Sequence, residues 1–120
     1  MSKYAKKFIV SEQDTAKKAG SGDLDVLATP VMVAMVENTA KDYLKIELTD
    51  EETSVGTRIE IDHLKASKIG AELSVEVICD FQEKRRRGYS FEVYDNGVLV
   101  GKGRHERAVV LTELFLSRLG

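Results

Sequence analysis

One stretch, residues 27–44 with the sequence LATPVMVAMVENTAKDYL, limits what this chain can fold into. Thr29 stands where an N-cap belongs, and Pro30 takes the first helical position, where its missing N–H costs nothing. The next six residues, 31–36, are all apolar. No polar stripe interrupts them, so this half of the helix is expected to be buried on nearly every side. Glu37 ends the run. After Ala40 the pattern turns amphipathic, with Tyr43 and Leu44 on one side and Lys41, Asp42 and Lys45 on the other. A carboxylate straight after an apolar run is costly to bury unless it is paired or protonated. What Glu37 faces is therefore the question the sequence poses.

The rest of the chain supplies a cover for that helix. Residues 4–11 read as a first strand with Phe8 and Val10 on one face, and residues 11–22 as a polar, flexible lead-in. From Thr53 the apolar period becomes two. Val55, Thr57, Ile59, Ile61 and His63 share one strand face, with Ser54, Arg58, Glu60 and Asp62 on the other. A second strand places Leu73, Val75, Val77, Cys79 and Phe81 on one face, and a third continues it with Tyr89, Phe91 and Val93. Residues 83–88, EKRRRG, read as a charged hairpin tip, and Asp95, Asn96 and Gly97 as a tight turn. Residues 98–110 form a last long strand whose Gly101 and Gly103 point to a bend, a bulge or a close neighbour. Strand, helix, then four antiparallel strands is an α+β arrangement, a sheet wrapped on one helix. The helix is too apolar for one sheet to cover, so a second copy of the chain is expected to help. A dimer of dimers stays open.

The chain has 120 residues, 42% hydrophobic and 32% charged, which fits one domain with one core. A net charge of −2 gives no support to a nucleic-acid partner. Cys79 is the single cysteine, so neither a disulfide framework nor a cysteine-rich zinc site is expected. The first residues carry neither a signal-peptide pattern nor a membrane span, which makes a cytoplasmic location the expectation.

Four positions can carry chemistry: Thr29, Glu37, Gly56 and His63. His63 falls on the apolar face of its strand, and a buried carboxylate and imidazole in one small core invite pairing, with coupled pKa values. Glu37 then reads either as a general base or nucleophile helped by His63, or as half of a pair that only holds helix to sheet. Thr29 reads as a cap. Its helix N-terminus also offers partial positive charge to a carbonyl that gains negative charge in its transition state. Glu37 lies eight residues beyond Thr29, a rise of about 12 Å, so the two cannot meet within one straight helix. A site using both needs a second chain. Gly56 reads as a bulge or strand start, or as backbone open to a substrate oxygen. Arg85, Arg86 and Arg87 read as a solvated turn, or as a clamp for the phosphates of a nucleotide-bearing substrate. His105, between Arg104 and Glu106, reads as a half-exposed strand histidine.

The segments ATPVMVAMVE, TSVGTRIEIDHLKAS and GKGRHERAVV, in this order and spacing, resemble the hotdog-fold thioesterase family, in particular the branch that includes fluoroacetyl-CoA thioesterase. The resemblance runs from about Gly20 to Val110. It implies a hotdog fold, a homodimer with sites at the subunit interface, and metal-free hydrolysis of an acyl-CoA with no cofactor, CoA being part of the substrate. It further implies a catalytic group of Thr29, Glu37 and His63, with Gly56 assisting the substrate carbonyl. The branch has a phenylalanine-rich segment just before the helix; residues 22–26 here hold no aromatic side chain, so fluoroacetyl selectivity is not expected. A non-catalytic acyl-CoA binding module and a hotdog hydratase are the alternatives on the same fold.

Overall fold

The period-two segments form five strands, and the computed structural model, which describes residues 2–120, joins them in one sheet. The strands are β1 (Lys3–Ile9), β2 (Glu52–His63), β3 (Glu72–Glu83), β4 (Arg86–Asp95) and β5 (Val98–Leu111). They lie in the order β1-β3-β4-β5-β2, each neighbouring pair antiparallel. The helices are α1 (Ala16–Ala19), α2 (Thr29–Lys45) and α3 (Thr112–Ser117). α2 packs on one face of the sheet, with Met32, Val36, Ala40 and Leu44 against Leu73, Val75, Val77, Tyr89, Phe91 and Val93. This is the α+β arrangement read from the sequence. Among the described residues no helix is long and apolar enough to cross a membrane. Leu73 is fully buried in β3 and packs in the apolar core. Leu73→Ala is expected to cost about 3 kcal/mol in urea unfolding while leaving the chemistry of the site untouched.

Close approach of α2 to the sheet has a local cause. A Cβ on Gly101 would stand 2.6 Å from Met32 Sδ, so the glycine in β5 makes room for the first turn of the helix. The helix itself begins one residue earlier than its sequence implies. Ala28 is the N-cap residue, no side chain caps it, and Thr29 is already helical. The chain entering α2 is held instead by backbone bonds, Leu27 N–H to the Ser67 carbonyl at 2.9 Å and Ala28 N–H to the Asp14 carbonyl at 2.9 Å. The Thr29 hydroxyl is thereby left for another partner.

Four further differences follow from packing. Residues 11–22 are not a plain lead-in: a capping box between Ser11 and Asp14 starts a 3₁₀ turn, Thr15 caps α1, and Gly20 closes it at φ 79°. The charged tip is shorter than the sequence implies, because Arg86 and Arg87 are already in β4. The register of β2 against β5 shifts between Gly56 and Arg58, a bulge that reverses the alternation. Ser54 and Gly56 therefore face the helix before it, and Ile59, Ile61 and His63 after it, each opposite an inward residue of β5. A second shift between Cys79 and Phe81 turns Phe81 outward, where the Arg86 guanidinium lies 5.3 Å from its ring.

Candidate active site

The helix and the two bulge-set halves of β2 position the candidate groups in two clusters. At the start of α2, Thr29 Oγ1 lies 2.8 Å from His63 Nδ1. The other ring nitrogen, His63 Nε2, is buried and has no hydrogen-bond partner among the described residues. Two turns further on, Glu37 meets β2 at Gly56, where a Cβ would collide with Glu37 Oε2. Arg107 Nη1 lies 3.9 Å from Glu37 Oε2. Among the described residues no hydrogen bond or ion pair joins Glu37 to His63, so within one chain the expected pair is not made.

Glu37 is also less enclosed than its context in the sequence implies. Its side chain is 42% exposed, and Val31, Val33 and Ala34 are only partly covered or open, so one sheet leaves a flank of α2 uncovered. Arg107, by contrast, is buried. Its Nε–H donates to Ser54 Oγ at 2.9 Å and its Nη2–H to the Ser54 carbonyl at 3.1 Å. Its Nη1 is 3.2 Å from His105 Nε2, and His105 Nδ1 is 2.8 Å from the Arg58 carbonyl. His105 is 1% exposed, not half-exposed as the flanking charges imply. His105 and Arg107 are the neighbours of Glu37 that the sequence reading missed. Their signal was available: with Gly101 and Gly103 inward, the strand period carries residues 105, 107 and 109 inward too.

Burial holds both histidines below the ordinary imidazole range, opposed at His63 by the Lys65 backbone and at His105 by the Arg58 carbonyl. A histidine whose folded pKa is depressed binds fewer protons folded than unfolded, so stability falls as pH drops through the unfolded value near 6.5. The melting temperature is therefore expected to decline between pH 7 and pH 5, and substituting either histidine by glutamine is expected to flatten that decline.

The three arginines of the basic run each have an acid of their own chain. Arg87 bonds Glu47 at 3.0 Å with its side chain 11% exposed, and Arg86 reaches Glu106 at 3.4 Å. Arg85 is looser, 3.8 Å from Glu52 and 57% exposed. Among the described residues no three His, Cys, Asp or Glu side chains converge as a metal set. Five clefts of about 200 to 450 Å³ mark the surface of one chain, and Thr29, Glu37 and His63 line none of these five.

A profile of the FlK family, the fluoroacetyl-CoA-specific thioesterases, matches residues 10–113. The chain belongs to this family. The fluoroacetyl-CoA thioesterase of Streptantibioticus cattleyicolor is 30% identical over 95 residues, which cover 79% of this chain and 68% of that one. A crystal structure of a mutant of the fluoroacetyl-CoA-specific thioesterase FlK, in complex with fluoroacetate and CoA, matches with a TM-score of 0.92 and 26% identity. That match covers 97% of this chain and 95% of the other. A hot-dog-like protein from Thermanaerovibrio acidaminovorans matches with a TM-score of 0.89 at 25% identity, over 98% of this chain and 87% of its own. The protein is thus a hotdog-fold thioesterase. In this thioesterase the structure brings Thr29 to His63 and Glu37 to Gly56, and leaves the two pairs at separate turns of α2.

Proposed function

We propose that this thioesterase works as a cytoplasmic homodimer that hydrolyses an acyl-CoA to a carboxylic acid and free CoA, each site built from both chains. One observation carries the reading. Thr29 and His63 form one half-site and Glu37 and Gly56 another, while His63 Nε2 is buried with no hydrogen-bond partner among the described residues. A buried ring nitrogen without a partner calls for one from outside the chain. β2 lies at a sheet edge and carries both Gly56 and His63. Two such edges paired antiparallel about an axis near the middle of β2 bring the Gly56 half of the strand in one copy toward the His63 half in the other. The open flank of α2 at Val31, Val33 and Ala34 asks for the same cover.

In that site Glu37 takes a proton from water as the water oxygen attacks the thioester carbonyl carbon. The backbone at Gly56 receives the oxyanion, the C–S bond breaks, and the CoA thiolate leaves and is protonated. A second route has the Glu37 carboxylate attack first, expelling CoA and forming a mixed anhydride that water then opens. Thr29 and His63 position the thioester or the water in either case. Fluoroacetyl selectivity is not part of the proposal, because residues 22–26 hold no aromatic side chain.

Release of free thiol from a panel of short and medium acyl-CoAs tests the reading. Catalytic thiol release supports it. Binding without release makes the protein a binding module, and a changed acyl chain on an intact thioester makes it a hydratase. The same panel tests the basic run. Arg85, with the longest ion pair of the three, is the arginine proposed to meet the CoA phosphates. Arg85→Ala is expected to raise KM for acyl-CoA about threefold at unchanged kcat. It should leave KM unchanged for an acyl thioester that lacks the nucleotide.

A further inference from the structure

His105 is buried at 1% exposure and makes no contact that the hydrolysis just described uses. Its two ring nitrogens nevertheless have defined partners. A carbonyl only accepts, so the Arg58 carbonyl at 2.8 Å requires a proton on Nδ1. A guanidinium only donates, so Arg107 Nη1 at 3.2 Å requires a bare Nε2. The two bonds together select one neutral tautomer. Arg107 is fixed on its other side by Ser54, through Nε and Nη2, and its Nη1 is also the atom nearest Glu37 Oε2. A Cβ on Gly56 would lie 3.3 Å from His105 Cε1 and 3.5 Å from Arg107 Nη1, so imidazole, guanidinium, carboxylate and the Gly56 backbone share one small volume.

We propose that His105 is a positioning residue for the hydrolysis, its bare Nε2 holding the Arg107 guanidinium toward the Glu37 carboxylate and the space beside Gly56. The proposal rests on the reading of Glu37 as the group that acts on the thioester. Protonation of His105 removes the acceptor and sets imidazolium against guanidinium, which releases Arg107 from that orientation. The groups facing His105 are Glu37 from α2, the Arg58 carbonyl from β2, the Tyr89 ring from β4 at 6.5 Å, and Arg107 with Glu106 from its own strand. Only the neutral form satisfies the two it bonds.

Two side chains of different reach separate this role from simple anchoring. Glutamine extends far enough to accept from Arg107 where Nε2 does, whereas asparagine reaches only the place of Nδ1. Positioning of Arg107 predicts that His105→Gln keeps kcat within about threefold and that His105→Asn loses about 30-fold, KM changing little in either. Equal losses in the two variants, or better activity in asparagine, would overturn the proposal. A nitrogen-15 NMR titration of the unmodified protein decides the matter even where a variant fails to fold. The chain has two histidines, so His63→Gln assigns the signals. The expected result is His105 neutral at pH 7 with Nδ1 protonated and Nε2 bare; the opposite tautomer or a cation overturns the proposal. If the unmodified protein releases no thiol from any acyl-CoA, the proposed function fails, and the NMR result still judges the His105 geometry.

Discussion

Glu37→Gln is expected to lower kcat for acyl-CoA hydrolysis about a thousandfold with little change in melting temperature. The amide keeps the shape of the side chain, so the packing of α2 against β2 survives. It cannot take a proton from water or attack a carbonyl, so both proposed routes stop. The stability cost is small because the side chain is 42% exposed and its ion pair with Arg107 is long at 3.9 Å. Loss of an ion pair that merely joined helix to sheet would show the reverse pattern, a lower melting temperature with turnover kept. Steady-state kinetics beside thermal melts of the same sample separate the two.

Gly56→Ala carries the second large effect. A Cβ there collides with Glu37 Oε2 and comes within 3.3 Å of His105 Cε1. The carboxylate is the far end of a flexible side chain and swings away at little cost, so the fold is expected to hold. The displacement that spares stability is what damages chemistry, since a reacting group moved by about 1 Å loses about a hundredfold in rate. Gly56→Ala should therefore lower kcat about a hundredfold while shifting the urea midpoint little. A variant that unfolds, or one that turns over normally, would place Glu37 elsewhere.

The sheet and the long helix were legible because their signals are periodic and long. Pro30 and the apolar run marked α2, and alternation marked β3, β4 and β5 with their inward residues Leu73, Val75, Val77, Tyr89, Phe91 and Val93. Two bulges were not legible. Nothing in the types of Thr57 or Asp80 announces an extra residue, so alternation alone puts Ser54 and Phe81 on the wrong faces. Thr29 was misread as a cap because its hydroxyl is claimed by His63, a contact 34 residues away that no local pattern contains. The expected pairing of Glu37 with His63 is not made within one chain, where His63 meets Thr29 and Glu37 meets Gly56, and the sequence already asks for a second chain in any site that uses both Thr29 and Glu37. His105 and Arg107 were overlooked because their neighbours Arg104 and Glu106 made the segment look solvated, although the strand period turns them inward.

The measurement that tests the two-chain site most directly uses two inactive variants, Glu37→Gln and His63→Gln, unfolded together and refolded as a mixture. A site that takes Glu37 from one chain and His63 from its partner leaves one of the two sites of each mixed dimer intact. The account predicts that the mixture regains about a quarter of the unmodified activity while each variant alone stays inactive. No recovery, with mixed dimers shown to form, would contradict it, because both groups would then serve one site from the same chain.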